Sequence, residues 1–300
     1  MKGQATRPDP ALEPPDPLAG HQGGSRLLGD RAILVSTAST VIFFALIAMV
    51  VVFAPGFAAV RESFLDFQAM KESFLGVPEE GLPGIGEAFL LNVRVFLIAE
   101  ILILILALAI AVIRQMPGPA FFPLRMVAIV YADLFRGTPL LLVIYLFGFG
   151  IPALDIPGLS TQSVTVYGTA ALVLSYAAYV SEVYRAGIES VHASQTAAAR
   201  SLGLSRWQSL RHVVLPQAVR RVVPPLLNDF VSLQKDTALL AVLGSIEAAR
   251  AAQIYSSYRF NYSSFVVAAC LFILVTIPLA RFTDHLIERD RKRRTAGGAA

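Results

Sequence analysis

Apolar runs, three of them free of charge, alternate along this chain with short polar or basic stretches. Residues 32–54 hold no charged side chain, and the run is long enough for the roughly 20 residues a helix needs to cross a bilayer. Further apolar runs follow at 88–113, 126–149, 156–181, 222–243 and 260–280. The pattern therefore predicts six transmembrane helices, the fourth becoming helical near Val164. Residues 1–31, rich in Pro, Gly, Asp and Arg without an apolar period, read as a disordered tail. Residues 55–86 are acidic and broken by Gly and Pro, and read as an extramembrane segment partly on the interface. The small residues at 54–59 imitate a signal-peptidase site, but the apolar run exceeds a signal core and its polar leader is long, so an uncleaved helix is expected.

Composition agrees with this pattern. Hydrophobic residues make up 55% of the chain and charged residues only 15%, with a mean hydropathy of +0.63. That is too little charge to coat a water-soluble domain of this length. The single Cys270 excludes a disulfide framework. The basic residues set the orientation: with the N-terminus inside, eighteen Lys and Arg flank the inner ends, against Arg61, Lys71, Arg250 and Arg259 outside. Both termini are therefore expected in the cytosol. The run Arg291, Lys292, Arg293 and Arg294 in the basic tail 290–300 reads as a flank attracted to anionic lipid, not as a nucleic-acid patch.

The cytosolic loop 190–218 carries the most specific pattern. Helix formers run from Gln195 to Leu202 and Gly203 interrupts them. Ser205 with Gln208 three residues on makes a capping box for a second helix. Pro216 ends that piece or starts the next. Leu204, Trp207, Leu210 and Val214 form an apolar stripe among arginines. The loop is thus a short helix–turn–helix, or else an amphipathic hairpin resting on lipid with Trp207 as anchor.

These residues resemble the cytoplasmic EAA motif of binding-protein-dependent ABC permeases. Ala197, Ala198 and Ala199 are followed, after three residues, by Gly203, and nine residues later by Val213, Val214, Leu215 and Pro216. Two positions depart from the family: Ala197 stands where it has Glu, and Val213 where it has Ile. Glu247-Ala248-Ala249 spells the opening of the motif, but lacks its glycine and Leu-Pro and falls on the outer side, so it reads as chance. Three other stretches are similar to polar amino-acid permeases: 135–141 (FRGTPLL), 181–187 (SEVYRAG), and Leu215-Pro216-Gln217-Ala218 with Pro224, Pro225 and Lys235-Asp236-Thr237, where Ala238 replaces the usual Ser.

The resemblance implies an all-α polytopic membrane helix bundle. A five-helix type I importer core spans 87–289, with an additional N-terminal transmembrane helix at 32–54. It implies a permease that moves polar amino acids across the bacterial inner membrane. The implied partners are a cytosolic ABC ATPase dimer, a second permease subunit, identical or different, and an extracytoplasmic solute-binding protein. Contact with the ATPase falls to Gln195, Ala197, Ala198, Arg200, Gly203, Leu204, Arg206, Trp207, Leu215 and Pro216. The chain has no Gly-Lys pair, and so no phosphate-binding loop. It also has no His-Glu-x-x-His or Cys-x-x-Cys, and His21, His192, His212 and His285 read as polar flanks. No catalytic, cofactor or metal site is expected; ATP belongs to the partner and the chain itself is not an enzyme. The alternative, an ion-coupled secondary transporter of small polar solutes, needs no docking hairpin.

Ionisable residues inside spans cost at least ~2.5–3.5 kcal/mol on insertion scales, so they should face the bundle interior, a partner or a wet path. Arg94, Glu100, Asp133, Arg136, Glu182, Asp229, Lys235 and Asp236 are of this kind. A zwitterionic amino acid needs a cation for its carboxylate and an acceptor for its ammonium. Arg136 and Lys235 are candidates for the first, and Glu182, Asp229 and Asn228 for the second. Pro139, Pro224, Pro225 and Pro278 are expected to kink or end helices.

Overall fold

The structure is a computed structural model describing residues 25–297. Most of the expected N-terminal tail, residues 1–24 with His21, lies outside them, as do residues 298–300. The described residues contain no β-strand, only an isolated bridge between Val77 and Leu82. The chain divides into two compact units between Val60 and Arg61. The first contains α1 (Ser25–Val52) and the start of α2 (Phe57–Phe64). Helix α1 thus begins at Ser25, earlier than the apolar run alone predicts, and holds the apolar stretch Val35–Val50.

The second unit opens with α3 (Phe67–Leu75), started by the Asp66 carboxylate, which accepts from the backbone N–H of Gln68 and Ala69 at 2.9 and 3.2 Å. Then come α4 (Ile85–Gln115), α5 (Phe122–Gly137), α6 (Leu140–Tyr145) and α7 (Ile151–Ala153), the last two joined by a π-turn at Leu146–Gly150. After a loop follow α8 (Val164–Glu189), α9 (Ala193–Ser201), α10 (Arg206–Ser209), α11 (Leu215–Asp236), α12 (Ala248–Arg259) and α13 (Ser263–Gly297).

Helix α4 shows why the bundle belongs in lipid. Its buried side carries Ala99, Ile103, Ala107 and Ala111, each no more than 1% exposed. Its other side presents Leu97, Ile98, Ile101, Ile105 and Leu108 to the surroundings. Both faces are largely apolar; the alanines Ala99, Ala107 and Ala111 fall on the buried one, where small residues let helices approach. The core joins this buried stripe to Ala171, Leu172 and Ala177 of α8, Leu233 of α11 and Leu240 in the 3₁₀ segment Thr237–Leu243.

Helices α4, α8 and Ser263–Arg289 of α13 are each long and apolar enough to cross a bilayer, and counting each bent pair as one span raises the number to five. One bent pair is the predicted third span. The arms Pro119–Gly137 and Leu140–Ala153 meet at 108°, so the run 126–149 is not one straight helix. Pro139 has no N–H to donate and forces Thr138 into an extended conformation (φ −106°, ψ 129°). Carbonyls freed near the corner are taken up by hydroxyls: Tyr179 donates to the Arg136 carbonyl at 3.0 Å, and Thr138 to that of Leu134 at 2.8 Å. Pro224, Pro225 and Pro278 lie inside α11 and α13, which continue past them.

Candidate functional site

The hairpin forms as its local sequence demands. The His192 ring Nδ1 accepts from the Ser194 N–H at 3.2 Å and starts α9. Gly203 ends it with φ +85°, a left-handed conformation open to glycine at little cost. The Gly203 N–H reaches the Arg200 carbonyl at 3.0 Å and the Leu204 N–H reaches that of Ala199 at 3.2 Å, the paired bonds of a Schellman motif. Ser205 and Gln208 then exchange the two capping-box bonds, at 2.8 and 3.2 Å. Pro216 sits in the first turn of α11, and α10 runs into that helix through a π-turn at Leu210–Val214.

The apolar stripe of this hairpin divides. Val214 packs with Val191, Ala218 and Ile188 in a small core, and Leu204 is half-buried. Trp207 is 64% exposed and Leu202 84%, so two large apolar side chains project outward. Gln195, Ala197, Ala198, Arg200, Leu215 and Pro216 are exposed beside them. The side chain of Arg206 lies outside the described residues.

Two clefts hold the charges of α8 and α11. In the first, of about 510 Å³, Glu182 gathers three guanidinium groups. Arg114 from the end of α4 donates to Oε1, Arg185 bonds Oε2 at 2.8–2.9 Å, and Arg136 from the end of α5 stands 3.7 Å away. Arg185 also pairs with Glu189 at 2.5 Å. Gly187 in the same cleft lies against α11: a Cβ there would fall 2.0 Å from Val222 Cγ2. Of the residues expected in a substrate path, the fold therefore brings Arg136 and Glu182 together, as an ion pair.

The second cleft, about 290 Å³, lies between α8 and α11 beside Leu140 and is lined by Ser175, Tyr176, Tyr179, Asp229, Ser232 and Asp236. Tyr176 donates to Asp236 Oδ2 at 2.7 Å. No Lys or Arg lines the cleft. Asn228 and Lys235 lie on an exposed face of α11 and do not line it. Arg94 and Asp133 are likewise exposed, with no ion pair among the described residues.

Sequence reasoning missed a buried polar knot. The Asn92 side-chain amide of α4 donates to Thr237 Oγ1 at 3.1 Å and to Glu247 Oε2 at 3.0 Å, and its oxygen accepts from the Ala248 N–H. Glu247, 1% exposed, also caps α12 by accepting from the N–H groups of Ala249 and Arg250. The stretch set aside as a chance EAA match thus locks α12 to α4. A carboxylate immediately before a helical run was the signal for the cap; nothing in the sequence marked Asn92 as its partner.

Residues 118–292 match the model of a protein family described as binding-protein-dependent transport system inner membrane component. The chain is 34% identical over 191 residues to a probable glutamine ABC transporter permease protein of Bacillus subtilis strain 168, covering 63% of this chain and 84% of that one. It is 30% identical over 229 residues to an arginine transport system permease protein of the same organism, covering 76% and 98%. Among solved structures, an amino acid ABC transporter with histidines superposes with a TM-score of 0.64 at 26% identity, covering 75% of this chain and 98% of the other.

Proposed function

The chain belongs to the family of binding-protein-dependent transport system inner membrane components, and from that premise we propose that it is the permease through which an ABC importer passes a polar amino acid across the bacterial cytoplasmic membrane. The names of its glutamine and arginine relatives support the substrate class. Both termini and the α9–α10 hairpin face the cytosol, by the asymmetry of Lys and Arg. With α1 as one span and the two bent pairs as two, the chain crosses six times. An ATPase dimer docks on the hairpin, a second permease completes the pathway, and a solute-binding protein delivers substrate from outside. The transported molecule passes the Asp229 cleft and the Arg136–Glu182 pair, while Asn228 and Lys235 face the second permease.

One observation carries the coupling role: a hairpin closed by its own caps holds Trp207 and Leu202 outward, where none of the described residues covers them. Closure of the ATPase dimer displaces this hairpin and α11 with it, switching access between the two sides. Without a glutamate at Ala197, docking leans on Arg200, Arg206 and the exposed apolar pair. Trp207→Ala should weaken ATPase association by about 2 kcal/mol, the scale of a buried interface anchor. Gly203→Val should insert normally yet lose substrate-stimulated ATP hydrolysis; space around Gly203 is open, so the damage comes from its positive φ. Full ATPase binding and stimulation in both variants would return the hairpin to the lipid surface.

A further inference from the structure

Two opposite charges on the exposed side of α4 stand without partners. Glu87 and Arg94 are both exposed, and neither makes an ion pair or side-chain hydrogen bond among the described residues. Both line a cleft of about 380 Å³, walled by Pro83, Gly84 and Ile246. Seven residues separate them, close to two full turns, so they share one face about 10.5 Å apart along the axis. Their depth follows from the sequence beyond them. Residues 95–113 hold Glu100 as their sole charge, and as a helix they cover about 28 Å, close to the roughly 30 Å of a hydrocarbon core. Arg94 thus stands at the edge of the core and Glu87 two turns nearer water, in either orientation of the chain. Helical side chains lean toward the N-terminus, here toward the membrane surface. On the other side of Arg94 the same face continues as Ile98, Ile101 and Ile105, 56–63% exposed. A route for a polar solute would not run on into isoleucine, whereas acyl chains would.

We propose that this face binds a phospholipid of the ethanolamine class. Arg94 takes its phosphate, Glu87 its primary ammonium, and an acyl chain lies along Ile98, Ile101 and Ile105. The charges match such a headgroup in sign and in order. Its phosphate adjoins the glycerol at the edge of the core, and its ammonium, two carbons further on, reaches outward. A guanidinium forks onto phosphate oxygens, and a primary ammonium offers three N–H donors to a carboxylate. Phosphatidylcholine carries the same two charges but no N–H, and phosphatidylglycerol brings no cation to Glu87. A second copy of this chain, paired through this face about an axis along the membrane normal, would set Arg94 against Arg94. The inference uses only the chain's place in the membrane and does not depend on which solute it carries.

The test offers the full-length chain, purified in detergent with the subunits it retains, equal amounts of the three lipids with identical acyl chains. Native mass spectrometry counts the lipid bound. Phosphatidylethanolamine should exceed each of the others about fivefold or more, as hydrogen bonds to a charged group allow. Glu87→Gln should bring its ratio to phosphatidylcholine close to one and leave phosphatidylcholine binding unchanged. Arg94→Gln should weaken all three lipids alike, and Arg94→Lys should restore most of that loss. Ratios are taken within each variant, so loss of folded material does not imitate their collapse. Equal binding to the unaltered chain, or a preference that survives Glu87→Gln, overturns the inference. Displacement of the lipid by excess L-glutamine would assign the face to the solute instead. Dissociation of permease subunits in Arg94→Gln, with lipid retained, would assign it to subunit pairing; either result overturns the lipid site.

Discussion

The two clefts between α8 and α11 use the same chemistry to opposite ends. Around Glu182 the carboxylate is fully answered: three guanidinium groups from α4, α5 and α8 converge on it, and Glu189 takes up part of the positive surplus. Around Asp229 the carboxylates have only the Tyr176 hydroxyl as a partner among the described residues. The first arrangement is complete within this chain and ties three helices together. The second has no cation of its own among the described residues. Intramembrane carboxylates therefore give not one signal but two, distinguished by whether the fold has placed a cation beside them.

Substitutions can break or sharpen that contrast. The largest effect should follow Glu182→Gln, which leaves the nearly buried Arg114 without its carboxylate. Removing one member of a buried pair costs about 3 kcal/mol or more, so the thermal unfolding midpoint of the purified permease should fall clearly. An unchanged midpoint would place Glu182 on the same side of the comparison as Asp229. Next comes Gly187→Ala in the same cleft, which forces α8 and α11 apart at Val222. Overpacking of this kind costs about 1–3 kcal/mol, and a double-mutant cycle with Val222→Ala should show coupling of about 1 kcal/mol. Additive effects would mean that the helices do not rely on this close approach. The smallest effect should be Asp229→Asn, within about 0.5 kcal/mol of the unaltered protein. A large loss of stability there would make Asp229 structural and erase the distinction.

What the sequence revealed follows from the range of the interactions involved. The hairpin was legible because its rules act over three to six residues: Ser205 with Gln208, and Gly203 with the carbonyls behind it. Arg136 and Glu182 were picked out by their surroundings in sequence, yet their pairing depends on how α5 and α8 pack. It makes them partners of each other and gives Glu182 a second partner in Arg114, a residue first assigned only to the inner flank. Asn92 and Glu247 lie 155 residues apart, and no local pattern joins them. The apolar run 126–149 hid its 108° corner because hydropathy reports length and not direction.

The junction between α10 and α11 has a mechanical meaning. From Trp207 to Leu243 the chain behaves as one rod, bending only where α12 begins. Asp229 lies twenty-two residues beyond Trp207, about 33 Å along such a rod at 1.5 Å per residue. A stiff element delivers at its far end the displacement applied at the near one, whereas a jointed element spends it at the joint. Two stretches interrupt its hydrogen-bond ladder before Asp229: the π-turn at Leu210–Val214, where the register widens by a residue, and Pro224–Pro225, which donate no N–H. Under the proposed coupling, the gearing between the hairpin and the Asp229 cleft is set by the stiffness of those two stretches.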